Sequence, residues 1–209
     1  MLRHTLMVGL LCLVAACGSS PKTEFYVLNA DDGSALQANT SEGPAVGVWT
    51  IILPEVLDRS EIVTRENQYK ISMADFSWWA GALDQNMTLL VAVQLSQHLQ
   101  SNRVVTSPWP TYKKNDYQVN ILVSRFDGEL GGEVILRGLW NILDGEGEKQ
   151  LGQQVFEFKT NTADSTHQAM VEAMSRLAVQ LAEQLVEGII DQESSPQNPL
   201  DPAIQALGK

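Results

Sequence analysis

The sequence predicts an α+β domain in which a mixed, largely antiparallel sheet with a C-terminal meander is covered by two main helices. Apolar residues recur at helical spacing over 83–99 and again over 166–190, which predicts one helix in each segment. Between the two helices, three segments of apolar residues, joined by Gly-rich turns, predict an antiparallel meander. Each amphipathic helix must bury its apolar stripe, and a sheet face is the simplest partner for it.

The two predicted helices differ in how their apolar residues are distributed. The last helix carries one stripe, formed by Met170, Met174, Leu177, Leu181, Leu185 and Ile189. Its start is predicted at a capping box made by Ser165 and Gln168. The first helix has a main stripe of Leu83, Met87, Leu90, Val91, Leu95 and Leu99. Because Leu89, Ala92 and Val93 add apolar surface on other sides, we expect that helix to be buried on more than one face.

The remaining elements are assigned from β-branched runs and from turn residues. Pro54 ends one such run, and acidic and glycine residues mark the turns at 128–132 and 144–147. Short strands are predicted over 25–28, 48–53, 62–64, 69–71 and 103–105, with a long polar loop over 29–47.

The N-terminus predicts export and lipidation. An uncharged apolar run from Leu6 to Ala16 is too short to span a membrane, which takes roughly 20 apolar residues. The run ends in Val14-Ala15-Ala16-Cys17, which resembles the lipobox of bacterial lipoproteins, whose Cys receives acyl chains such as palmitate. An ordinary signal peptide with an incidental Cys fits less of this pattern. We therefore predict a signal peptide over 1–16, lipidation at Cys17, a tether over 17–23, one domain over 24–190 and a disordered tail over 191–209.

Composition excludes several classes of function. With 14 Lys and Arg against 25 Asp and Glu, the net charge of -11 argues against nucleic-acid binding and against adhesion to anionic lipid through charge. After processing, the chain has no free thiol, and its two remaining histidines, His98 and His167, lie on separate predicted helices. We predict no cofactor, no metal site and no catalytic residues.

Two groups of residues are candidate sites. Asp127, Glu129 and Glu133 could serve acid–base chemistry or calcium binding, but acidic residues with glycines are also typical of a solvated hairpin turn, which we favour. The aromatic residues Phe76, Trp78, Trp79 and Trp109 are predicted contacts for a protein partner or for lipid. Because Trp78 and Trp79 are adjacent, we expect at least one of them to be exposed, although both could instead pack over the sheet edge.

Several motifs, taken in order behind the lipobox, resemble those of the PqiC-like family, the auxiliary lipoproteins of ABC-type transport systems. The resemblance covers about 25–190 of this chain. It is carried by Leu53–Arg59 leading into Ile62–Arg65, Trp79-Ala80 with Leu83–Asn86, Pro108-Trp109-Pro110, Arg125–Gly128 before Gly131-Gly132, and Leu136 and Trp140 beyond.

The resemblance implies an outer-membrane lipoprotein that faces the periplasm and has no catalytic role. Its partners would be a periplasm-spanning protein with MCE (mammalian cell entry) domains and, through it, an inner-membrane component. Such systems move lipids and maintain envelope integrity, and a symmetric partner suggests a homo-oligomeric ring of this chain. One alternative is a structural lipoprotein that recruits another envelope complex. Another is a periplasmic enzyme, for which Asp127, Glu129 and Glu133 would have to line a cleft.

Overall fold

The computed structural model describes residues 21–30, 43–110 and 112–194. The predicted lipidation site Cys17, most of the loop predicted over 29–47, and the tail from 195 onward lie outside these residues. The strands are β1 (Glu24–Tyr26), β2 (Val46–Val48), β3 (Glu61–Asn67), β4 (Lys70–Trp79), β5 (Val104–Thr106), β6 (Tyr117–Gly128), β7 (Glu133–Asp144) and β8 (Gln150–Asn161). The helices are α1 (Leu83–His98) and α2 (His167–Glu193), with a short 3-10 helix at Glu55–Leu57.

The α+β class predicted from the sequence is confirmed, and the strands are divided between two sheets. In the larger sheet the order is β5-β2-β6-β7-β8, and its last three strands are the predicted antiparallel meander. Strand β2 runs parallel to both of its neighbours, so this sheet is mixed. The smaller sheet has the order β1-β4-β3, in which β4 is parallel to β1 and antiparallel to β3.

The strand predicted over 48–53 is wrong in its position, because β2 covers Val46–Val48 instead. Beyond β2 the chain continues beside β6, where the amide of Trp49 donates to the carbonyl of Val119 at 3.0 Å. The pairing with β6 then shifts by one residue at Ile51, whose amide donates to the hydroxyl of Thr88 on α1 at 2.9 Å. Contact with β6 resumes at Ile52, whose amide donates to the carbonyl of Ile121 at 3.0 Å. The helix therefore takes a backbone donor that a regular strand would have given to its neighbour.

Helix α2 covers the inner face of the meander and packs beside α1. The six residues of its predicted stripe are all buried, with at most 2% of any of them exposed. The helix begins at His167, one residue later than a cap at Ser165 predicts. Its N-cap is Thr166, whose hydroxyl accepts from the amide of Ala169 at 3.1 Å. The prediction of Ser165 as the cap was therefore wrong. The helix ends at Glu193, beyond the predicted domain boundary at 190.

None of the helices in the described residues is long and apolar enough to cross a membrane.

Candidate functional site

Helix α1 exposes two apolar side chains that were expected to be buried. The main stripe of α1 is in the core as predicted, from Leu83, 3% exposed, to Leu95, fully buried. On another side, however, Leu89 is 58% exposed and Val93 is 38% exposed. These residues are one helical turn apart, so they form a single apolar strip on the surface of the helix.

The exposed strip of α1 forms one wall of a cleft, which we call the α1–β5 cleft. Strand β5, at the edge of the larger sheet, and the segment 108–110 form the other walls. The cleft has a volume of about 530 Å³. Its apolar lining residues are Leu89, Ala92, Val93, Val104, Val105, Pro108, Trp109 and Pro110. A mostly apolar concavity of this size is typical of a binding site.

Trp109 is held in place in the cleft by its neighbours in the larger sheet. Its ring lies edge-on to that of Trp49, with 4.7 Å between the ring centroids. The indole nitrogen of Trp49 in turn donates to the side-chain oxygen of Gln118 on β6 at 2.9 Å. A side chain at Gly47 would bring its Cβ within 3.1 Å of the Trp109 ring and 2.3 Å of the Asn115 amide. The absence of a side chain at Gly47 therefore lets Trp109 approach β2.

The other three predicted contact residues lie on β4 and do not share one environment. Successive residues of a strand point to opposite faces of the sheet. Trp79 points inward and is only 5% exposed, so it is part of the core and not of the surface. Trp78 is partly exposed and Phe76 is 43% exposed, both on the outer face.

Phe25 in β1 and Val27, which follows β1, extend the apolar surface around Trp78. Phe25 is paired with Trp78 in the register of β1 and β4, and the two rings meet edge-on at 6.4 Å between centroids. Phe25 is 64% exposed, and Val27, two residues further, is 53% exposed. We call Phe25, Val27, Phe76 and Trp78 the β1–β4 aromatic face. It shares no residue with the α1–β5 cleft.

Asp127 is a buried ion-pair partner and does not belong to a solvated turn. It is 3% exposed and lies within β6. Arg65 of β3 contacts both of its carboxylate oxygens, at 2.9 and 2.5 Å, and Arg125 contacts one at 2.8 Å. Burial alone would raise the pKa of Asp127, but the hydrogen bonds and charges of Arg65 and Arg125 outweigh it and lower that pKa below its usual value. The pair of Arg65 with Asp127 therefore links the two sheets.

The three acidic residues that could serve catalysis do not come together as a site. Glu129 lies in the turn after β6, Glu133 is exposed at the start of β7, and Asp127 is occupied by two arginines. None of the three lines the α1–β5 cleft. Among the described residues, no group of three or more His, Cys, Asp or Glu side chains is placed to hold a metal ion.

Four of these surface residues were not predicted from the sequence: Leu89, Val93, Phe25 and Trp49. The sequence did contain an indication for Leu89 and Val93, because the helix that carries them has apolar residues on all sides. Such a helix is either fully enclosed or has a face that another molecule can cover. For Phe25 and Trp49 there was no such signal, since their exposure depends on which strands become neighbours in the sheets.

The fold is that of a known class of protein. The chain belongs to the family of ABC-type transport auxiliary lipoprotein components, which it matches over 26–186. This confirms the family indicated by the sequence motifs. Among its relatives is the intermembrane transport lipoprotein PqiC of Escherichia coli (strain K12), which is 24% identical over 178 residues, spanning 84% of this chain and 91% of PqiC.

Two solved structures share the fold. An uncharacterized protein superposes with a TM-score of 0.66 at 20% identity, over 81% of this chain and 99% of that protein. A protein from Xanthomonas campestris superposes with a TM-score of 0.58 at 15% identity, over 72% of this chain and 85% of its own. At these identities the likeness supports the fold alone.

Proposed function

We propose that this lipoprotein is the non-catalytic docking component of an MCE-domain lipid transport system. Acyl chains on Cys17 anchor it in the outer membrane, and its domain faces the periplasm. There it binds the periplasm-spanning MCE protein and, through it, is connected to an inner-membrane component. In this role it contributes to envelope integrity by completing a route for lipids across the periplasm.

The α1–β5 cleft is the observation that supports docking best. Single exposed apolar residues are common on protein surfaces, but a concave cluster with a fixed tryptophan is not. Leu89 and Val93 lose no internal contact when a partner covers them, and Trp109 is already held by Trp49, so little side-chain entropy is lost on binding. We assign this cleft to an apolar segment of the MCE protein.

In-cell photocrosslinking tests which protein occupies the cleft. A photoreactive residue is placed at Val93, and the captured proteins are identified by mass spectrometry. Val155 on β8 is the control position, because it is apolar, 72% exposed and at the opposite edge of the same sheet. Capture of an MCE-domain protein from position 93 and not from 155 supports the proposal. Capture of a different envelope complex instead would favour the structural lipoprotein that recruits another machine.

Charged residues in the cleft are expected to weaken docking strongly without unfolding the domain. In the double variant Leu89→Glu/Val93→Glu, two carboxylates would have to lose water on binding. If these positions are central to the interface, the loss of about 2 kcal/mol weakens binding of the MCE protein roughly 30-fold. Both side chains are exposed, so the unfolding free energy is expected to change by less than about 0.5 kcal/mol per site. Affinity of the purified proteins and urea unfolding measure the two effects.

The control for this variant is Val155→Glu, which adds a charge at an apolar position that is more exposed than either cleft residue. It is expected to leave binding unchanged. Equal affinities for the cleft variant and for the control would remove the cleft from the proposal.

A homo-oligomeric ring is part of the same proposal, because a symmetric partner would accept several copies of this chain. We expect light scattering of the concentrated protein to give a mass several times that of one chain. A monomer at high concentration would count against the ring.

A further inference from the structure

The β1–β4 aromatic face lies unusually close in sequence to the predicted anchor. Phe25, which is part of the face, is eight residues beyond Cys17. Eight residues span at most about 28 Å when fully extended. The acyl chains of Cys17 hold its backbone at the membrane surface, so the aromatic face cannot move far from the lipid headgroups.

The face also has the composition of a surface that contacts a membrane interface. Phe25 and Phe76 offer apolar area, and Trp78 combines a large ring with an N–H group. That N–H donates to the carbonyl of Asp75 at 3.3 Å, so it needs no further partner when the ring is covered. Aromatic side chains of this kind are enriched where the headgroup layer meets the hydrocarbon.

We infer that the β1–β4 aromatic face rests in the lipid headgroup layer of the membrane that holds the Cys17 acyl chains, and thereby orients the domain. This inference rests on the acylation of Cys17 in the proposed function. The short tether gives the face a high local concentration of lipid, so even a weak apolar contact is well populated. With this face on the membrane, the domain has a preferred orientation, and partners must approach its other surfaces.

The charges beside the face decide what kind of lipid contact it makes. Its neighbours include the acidic residues Glu24, Glu61 and Asp75. Attraction of basic side chains to anionic lipid therefore does not drive the contact, which depends on apolar burial. We expect a larger fraction of anionic lipid not to strengthen the contact, and added salt not to weaken it.

An environment-sensitive fluorophore placed on the face tests this orientation. Because Cys12 is removed with the signal peptide and Cys17 is acylated, a new cysteine is the only free thiol of the mature protein. The lipidated Phe76→Cys protein is labelled with a nitrobenzoxadiazole probe and reconstituted into vesicles of phosphatidylethanolamine and phosphatidylglycerol. Tyr69→Cys is the control, since Tyr69 is 89% exposed in the turn that precedes β4, roughly 20 Å along the strand from position 76.

The expected result is a several-fold rise in emission at position 76 on vesicles, with loss of quenching by aqueous iodide and gain of quenching by headgroup-labelled lipid. The probe at position 69 should remain in water. Phe25→Cys is a second reporter and should behave like position 76, which guards against a local disturbance at either site.

If probes at positions 76 and 25 of the acylated protein remain as accessible to iodide as the probe at position 69, the inference is overturned. The proposed docking function would still stand. A face that is shielded only after the MCE protein is added overturns the inference also, and assigns the face to that protein. If the intact mass shows no acyl chains on Cys17, the anchor of the proposed function fails together with the inference.

Discussion

Replacing Asp127 with alanine is expected to lower the free energy of unfolding by about 3 kcal/mol, because it leaves two arginines without their shared carboxylate. Removing one partner of a buried ion pair costs roughly 3–5 kcal/mol, and the lower end applies here because water can still reach part of Arg65 and Arg125. The substitution also removes a contact between the two sheets, since Arg65 belongs to β3 and Asp127 to β6. Urea unfolding of the mature domain at neutral pH measures the loss.

The control for this prediction is Glu157→Ala. Glu157 also pairs with two basic residues, Arg137 and Lys159, but at an exposed position within one sheet. Such surface pairs add little to stability, so the effect is expected to be much smaller than at Asp127. Equal losses for the two variants would show that Asp127 does not link the sheets in the way its contacts indicate.

Because the pKa of Asp127 is lowered, its contribution to the free energy of unfolding is expected to depend on pH in the acid range. An Asp carboxyl in the unfolded chain has a pKa of about 3.9. The pKa of the Asp127 carboxyl in the folded protein lies below that value. The contribution is therefore fully present above about pH 4 and is lost as the pH falls through the folded pKa. In this acid range the unfolding free energy of the unmodified protein should fall more steeply than that of Asp127→Ala. Parallel pH profiles would contradict this assignment.

Elements with a local repeating pattern could be predicted from the sequence. The stripe of α2 from Met170 to Ile189 and the meander of β6, β7 and β8 are found as expected, because each depends on spacing within one stretch of chain. The N-cap was misplaced by one residue, from Ser165 to Thr166. Both residue types cap helices well, so composition alone could not distinguish them.

The division into two sheets and the role of Asp127 depend on contacts between distant parts of the chain. Arg65 and Asp127 are far apart in sequence, and nothing local indicates that they meet. The acidic, Gly-rich context of Asp127 favoured a turn, whereas β6 extends to Gly128 and places Asp127 inside the fold. Similarly, Thr88 of α1 accepts from the amide of Ile51 and so interrupts the regular pairing of the segment after β2 with β6, which no β-propensity can show.

The candidate surfaces were predicted in part. The alternation of a strand explains why adjacent Trp78 and Trp79 differ in exposure, but the sequence did not place them on a strand or say which one faces inward. Trp109 does line a cleft, and its role there depends on α1, whose exposed Leu89 and Val93 were expected to be covered. A helix that is apolar on every side predicts burial only if the domain has enough elements to enclose it.

Replacing Cys17 with serine is expected to abolish the function in cells while leaving the domain folded. A serine cannot form the thioether that carries the acyl chains, so the protein is either left uncleaved in the inner membrane or released. In both cases it cannot complement a deletion of its gene. The matched control is Cys12→Ser, which changes the same residue type within the apolar run of the predicted signal peptide and should complement fully.

Complementation and membrane fractionation of the two variants separate anchoring from docking. If the anchor only raises the local concentration of the domain near its partner, strong overexpression of a released Cys17→Ser protein should restore part of the function. If the anchor also orients the domain through the β1–β4 aromatic face, no level of released protein should restore it. Full complementation by Cys17→Ser at normal expression would show that the lipid is dispensable, and the membrane-anchored part of the proposal would then be withdrawn.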